Sequence, residues 1–321
     1  MNPKLLMPDS ILFLLLILII VLVIILSASS DSLACWGTRP LSMGGAFSAL
    51  SDDVHSIYWN PAGLSRVKNF DFTYTRWLNN RDNINYDDFA AGAFSVGICT
   101  LGVGLTYNQD KFSEPIKIGG NHQSYKCREK NRYINFGCGA FISRTASIGL
   151  NINTLKTIYY GYHRPNCSAY IPFSCSDNIL MVDFGFLWEL RPRVTVGLLA
   201  QNLNKPKMYF PEISRREIYI SNLRPAVAWK LAKKAVLAVD LYDATNNSRG
   251  VVDRNIRIGM EAGLPKGLIV RLGGYHTNNR ELRAYTAGFG WRFAGLKLDY
   301  GFMYWESIGD TQHMLALGYS Y

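Results

Sequence analysis

The feature that most constrains the fold is the rhythm of the joins between short alternating segments. From residue 69 onward the chain resolves into stretches with period-two alternation, broken by turn residues. In 296–304, Leu296, Leu298, Tyr300, Phe302 and Tyr304 share one face, and Lys297, Asp299, Gly301 and Met303 the other. Segment 313–321 sets Leu315, Leu317, Tyr319 and Tyr321 opposite Met314, Ala316, Gly318 and Ser320. Segment 254–263 sets Ile256, Ile258, Met260 and Ala262 against Arg257, Gly259 and Glu261. Strands are expected over 69–77, 87–96, 99–108, 133–143, 146–158, 178–190, 194–202, 223–231, 235–242, 254–263, 268–275, 284–293, 296–305 and 313–321. Joins after the even-numbered segments are tiny: near Gly97, Arg144-Thr145, Arg191-Pro192-Arg193, Ala232-Lys233-Lys234, residues 264–267 and Ala294-Gly295. Joins after the odd-numbered segments are longer and polar, as in 109–132, 159–177 and 203–222.

A soluble sandwich has no reason to sort its loops by parity. A closed ring crossing a bilayer does, because short turns face one compartment and long loops the other. Lipid cannot satisfy an exposed sheet edge, and the segments approach the ~10 residues a tilted strand needs to cross hydrocarbon. The expected fold class is therefore all-β, a closed antiparallel transmembrane β-barrel of about 14 strands. The last segment ends on Tyr321, with apolar residues at alternate positions before it. That pattern resembles the carboxy-terminal signal read by the outer-membrane insertion machinery.

The amino terminus carries Lys4, then sixteen apolar residues over 11–26, then small and polar residues over 27–34. This is the layout of a Sec-type signal peptide, and Ser32-Leu33-Ala34 allows a cut before Cys35. The alternatives are an uncleaved inner-membrane anchor or a lipid attached at Cys35, although Leu33 sits one position too close for a usual lipobox. No second long apolar run follows, whereas a helical membrane protein needs several. The 13% aromatic residues, 28 glycines and 18% charged residues suit a barrel with aromatic girdles. The expected division is a cleaved signal peptide over 1–34, an amino-terminal segment over 35–68 and the barrel over 69–321. The formal charge is +10, and Lys4, Asp9 and Asp31 sum to −1, which leaves +11 after residue 34. Scattered basic residues suit phosphorylated lipid headgroups, including lipopolysaccharide, or an acidic partner, and not nucleic acid.

The segment before the first strand does not alternate. Gly44-Gly45 permits a tight backbone path, residues 46–50 suit a helical turn, and Asn60-Pro61 suits a cap with Pro at the first helical position. A compact plug or amino-terminal arm is expected. The motif Ser42-Met43-Gly44-Gly45-Ala46-Phe47, then Asp52-Asp53, then Tyr58-Trp59-Asn60-Pro61-Ala62-Gly63-Leu64, resembles the amino-terminal motif of FadL-like barrels, in particular the PorV/PorQ branch. Leu298-Asp299-Tyr300 with Thr311-Gln312-His313 resembles the last hairpin of that branch, and Gln201-Asn202-Leu203 is a weaker echo.

The resemblance implies fourteen strands and a hatch folded into the lumen, with Ser42, Met43, Gly44, Gly45, Asp52, Asp53, Asn60, Pro61, Ala62 and Gly63 as hatch residues. It implies passage of hydrophobic molecules through a side opening in the wall, or a role with secreted proteins in type IX-like secretion, and it implies an outer-membrane location. At 321 residues the chain is short beside the fatty-acid transporters. Rival functions are a structural or adhesive barrel without transport, and a β-domain held by an uncleaved anchor.

Other chemistry is sparse. Asp52, Asp53 and His55 lack the second cluster a metal or acid–base site needs, and the remaining histidines show no ligand spacing. No nucleophile elbow, phosphate loop or carboxylate pair stands out, so neither enzyme activity nor a cofactor is expected. Cys167 and Cys175 share one expected loop and could form a local disulfide, and Cys99 and Cys138 fall on lipid-facing positions. By parity Asp183, Glu189, Arg257, Glu261, Arg271, Arg292, Lys297 and Asp299 face the lumen, where confined charges need partners.

Overall fold

The computed structural model describes residues 36–79, 87–112, 116–118, 121–123, 126–163, 171–247, 254–276, 283–306 and 309–321. Fourteen antiparallel strands close into a barrel. In chain order they are β1 (Phe70–Asn79), β2 (Asp88–Val96), β3 (Cys99–Phe112), β6 (Lys126–Phe141), β7 (Ala146–His163), β8 (Ile171–Arg191), β9 (Val194–Gln201), β12 (Asn222–Ala232), β13 (Ala235–Tyr242), β14 (Asn255–Gly263), β15 (Leu268–His276), β16 (Ala284–Phe293), β17 (Leu296–Trp305) and β18 (Asp310–Ser320). The missing numbers belong to two hairpins in the long joins, β4 (Ile116–Ile118) with β5 (Asn121–Gln123), and β10 (Lys207–Phe210) with β11 (Arg215–Ile218).

Alternation sets the two faces. On β17, Leu296 and Leu298 are exposed on the outside while Lys297 and Asp299 are buried on the inside. The ring closes where β1 meets β18, in register from Asp71 against Ser320 to Asn79 against Gln312. Phe70 and Tyr321 trade backbone hydrogen bonds at 3.2 and 2.9 Å, so the last aromatic residue completes the seam. The turn at Ala294 (φ 49°) and Gly295 (φ 85°) has both central residues left-handed, the geometry whose twist matches a two-residue hairpin. Every neighbouring pair of barrel strands is antiparallel. Among the described residues the register shifts lie beside short turns, at Glu189/Arg191 and Lys230/Ala232.

Three strands are much longer than expected. β6, β7 and β8 run to 16, 18 and 21 residues and extend past the long-loop end of their neighbours. Cys175 therefore lies within β8 and not in a loop, with its side chain buried on the inner face. Its proposed partner Cys167 is outside the described residues, as are the leader 1–34 and Cys35. Cys99 and Cys138 sit on outward positions of β3 and β6 and are half-buried. Among the described residues no helix is long and apolar enough to cross a membrane.

Candidate functional site: the amino-terminal segment and the lumen

Residues 36–68 form a small core of their own. Short helical turns at Thr38–Leu41 and Ser56–Trp59 flank the bend at Gly44 (φ 64°) and Gly45 (φ 74°). A 3₁₀ turn, Pro61–Arg66, follows, capped by the Asn60 side chain, which accepts from the Ala62 N–H at 3.2 Å. Pro at the first position costs nothing there, since that N–H has no helical partner. Met43, Phe47, Ile57 and Leu64 are fully buried, and the Trp59 indole N–H donates to the Trp36 carbonyl at 2.8 Å. Thirty residues could not bury such side chains alone; the barrel wall supplies the other half of the packing.

The segment meets the wall around most of the ring. The Asp71 carboxylate on β1 accepts from the Val54 N–H at 3.0 Å. On β7, Ser147 donates to the Ala62 carbonyl at 3.1 Å and Asn151 donates to that of Ile57. The Asn60 amide donates to Ser48 at 2.8 Å within the segment and to Phe186 of β8 at 3.1 Å. Asp240 on β13 accepts from the Ser48 N–H at 2.9 Å. Thr286 on β16 accepts from the Gly44 N–H at 2.9 Å and donates to the Ser42 carbonyl at 3.0 Å.

Inward-facing glycines make room for this contact. A Cβ at Gly149 would stand 2.2 Å from the Pro61 carbonyl carbon, and one at Gly185 would stand 2.1 Å from Asn60 Oδ1. The wall and the segment are shaped to each other at backbone level.

One guanidinium organises the short-turn end. Arg39 donates to Asp52 at 2.6 Å, to Asp53 at 2.7 Å and, through two nitrogens, to Glu261 of β14 at 2.7 and 2.8 Å. Burial opposes its charge, but Asp52, Glu261 and Asp53 outweigh that and hold its pKa well above the ordinary value. Burial likewise opposes the charge on Asp53, yet His55 and Arg39 together hold that carboxyl well below the usual carboxylate range. Glu261 also accepts from Arg271 at 2.6 Å, Arg271 donates to Asp299 at 2.7 Å, and Arg292 reaches Asp299 at 2.9 Å. Lys297 pairs with Asp71.

Of the residues singled out from sequence, Asp52, Asp53, Glu261, Arg271, Asp299 and Arg292 thus join one connected network. Arg257 stands apart, over the rings of Tyr242 (4.4 Å) and Tyr275 (4.8 Å), beside Arg224 over Tyr242 (4.2 Å). Ser42, Met43, Gly44, Gly45, Asn60, Pro61, Ala62 and Gly63 all lie at the contact between segment and wall or in the segment's own core. Asp71 and Asp240 were not singled out. Their signal was a lone carboxylate at an alternate position of an otherwise apolar strand, as in Phe70-Asp71-Phe72 and Val239-Asp240-Leu241.

Toward the long-loop end the inner face of β7 and β8 carries an apolar cluster, with Asn131, Thr157, Glu129 and Glu217 hydrogen-bonded beside it. Leu155, Tyr159, Cys175, Ile179 and Met181 on β7 and β8 pack with Met208, Phe210 and Ile213, carried by the β10–β11 hairpin and the turn after β10. Tyr133 of that cluster lies edge-on to Trp36 at 5.1 Å, and Trp36 stacks on Tyr58. At the short-turn end two cavities of about 420 and 460 Å³ flank Asp52, Arg66 and Lys68. Among the described residues no group of His, Cys, Asp and Glu has the arrangement of a metal site.

No family model and no curated protein matches this sequence. Solved structures do. The toluene transporter TbuX of Ralstonia pickettii superposes with a TM-score of 0.67 at 11% identity, over 89% of this chain and 98% of that one. The toluene transporter TodX of Pseudomonas putida gives 0.65 at 11% identity, over 91% and 99%. A FadL homologue of Pseudomonas aeruginosa gives 0.60 at 10% identity, over 91% and 100%. At such identities the likeness is one of fold: this chain has the barrel fold of these three proteins.

Proposed function

We propose that this chain is an outer-membrane barrel that passes hydrophobic molecules inward, with residues 36–68 as the hatch. The observation that carries this is the apolar cluster on the inner face of β7 and β8, which leads through Tyr133 to the Trp36–Tyr58 stack on the amino-terminal segment. An apolar patch along the path from the long-loop end favours apolar cargo. Proteins of this fold include transporters of toluene. In this reading the long loops face outward, the short turns face the periplasm, and a cleaved leader delivers the chain to the insertion machinery. Uptake of radiolabelled toluene and of a long-chain fatty acid by cells with and without the gene tests it. Faster uptake of either by the expressing cells is expected, and equal uptake of both would overturn it.

A second reading, a PorV-like role in protein secretion, draws on the Ser42–Leu64 motif and on the wall. The described ladders contain no break away from the short turns, so the side opening implied by resemblance to the FadL transporters is not seen among the described residues. Co-purification of exported proteins with the tagged barrel would favour this reading over passage of small molecules.

A further inference from the structure

We propose that one half of the short-turn rim is a binding surface for anionic phospholipid headgroups in the leaflet on that side; this rests on the membrane-barrel reading above. The turns joining β6–β7, β8–β9, β12–β13 and β14–β15 are consecutive around the ring. They carry Arg144, Arg191, Arg193, Lys233, Lys234 and Lys266, all exposed. No acidic residue occurs in 142–145, 190–193, 232–235 or 264–267. The carboxylates nearest in sequence, Glu189 and Glu261, face the lumen, and Glu261 is bound to Arg39 and Arg271. The two remaining short turns, Gly97-Ile98 and Ala294-Gly295, hold no charge, so the basic surface is an arc and not a full ring.

Depth decides which anion this arc can meet. Trp188 and Trp229 stand outward and exposed on β8 and β12, three residues before Arg191 and four before Lys233. Exposed outward Trp marks the edge of the hydrocarbon. A strand tilted by ~40° advances roughly 2.5 Å per residue along the membrane normal, which puts these charges about 8–10 Å beyond the rings. The headgroup layer on one side is roughly 5–8 Å thick, and Lys and Arg stems reach back several Å. The charges therefore sit at the outer margin of that layer, and their stems bring them back within reach of its phosphates. Lipid phosphates lie within reach of the arc at that depth, and lipids with a net negative headgroup are favoured over zwitterionic ones.

The test is lipid selectivity of the refolded chain in vesicles of equal parts phosphatidylethanolamine and phosphatidylglycerol. One lipid is brominated at a time, and quenching of tryptophan fluorescence is read. Wild type should prefer brominated phosphatidylglycerol about three- to fivefold at low ionic strength, falling toward parity at 0.5 M NaCl. The variant with R144Q, R191Q, R193Q, K233Q, K234Q and K266Q should show parity at all salt concentrations while keeping its heat-modifiable gel mobility.

Equal quenching by the two lipids in wild type would overturn the proposal, as would undiminished preference in the variant. Binding of an acidic soluble protein, lost in the variant without any lipid preference in wild type, would reassign the arc to a protein partner. A chain that inserts into no vesicle and shows no mobility shift would instead refute the membrane reading beneath it.

Discussion

Replacing Arg39 by Met removes the charge that ties the amino-terminal segment to Glu261 of the wall at the short-turn end. The guanidinium is 11% exposed and serves three carboxylates, at 2.6 to 2.8 Å. Removing one partner of a buried pair costs about 3–5 kcal/mol, because it leaves an uncompensated charge. Two features lower that figure here. Asp52 is 41% exposed and can turn to water, and Glu261 keeps its bond to Arg271 at 2.6 Å. The remaining loss, centred on Asp53, is about 2–3 kcal/mol of docking free energy, or roughly 30- to 150-fold in the undocked population. Limited proteolysis reads that population directly when reclosing outpaces cleavage. Cleavage within residues 36–68 should accelerate by that factor in R39M, with heat-modifiable mobility unchanged. R39M/D53N should recover part of the loss, and D52N alone should lie near wild type. A cleavage rate for R39M within about threefold of wild type would refute the account of Arg39.

Three further outcomes are expected. Gly149→Val places side-chain carbon against Pro61, where a Cβ alone would stand at 2.2 Å, so the barrel should form with its segment displaced and protease-sensitive; normal protection of that variant would contradict the close fit. Asp53 has a folded pKa well below its ordinary value, so its contribution is fully present above about pH 4 and lost as pH falls through the folded value. Segment cleavage by an acid-tolerant protease should therefore be flat from about pH 7 to 5 and rise below about pH 4, and a rise centred near pH 6 would point to another group. Deleting Tyr321 removes the paired backbone bonds to Phe70 at the seam, so the yield of heat-modifiable protein in cells should fall severalfold while the other ladders stay intact.

The barrel was legible because lipid imposes an alternation that no soluble face needs, and because the joins sort by length. Outside the lipid that rule lapses. β6 continues through Arg128-Glu129-Lys130-Asn131-Arg132, and no apolar face remains there to mark a strand. The same lapse hid the first seven residues of β8 and moved Cys175 from an expected loop into the sheet. The hairpin β10–β11 was missed because its pairing partner lies within a long polar join. Lumen charges followed from parity, but their pairing did not: Glu261 meets Arg39, 222 positions away, and only the three-dimensional fold of the segment brings them together. The inward glycines were visible as residues and silent as signals, since a missing side chain does not say what occupies its place.

The most direct measurement of the central claim is single-channel conductance in a planar bilayer. Wild type should insert without steady ionic current if residues 36–68 are the hatch proposed above. A chain lacking them, shown by gel mobility to be a folded barrel, should conduct in discrete open steps. Steady current through wild type, or silence from the folded deletion, would contradict the account.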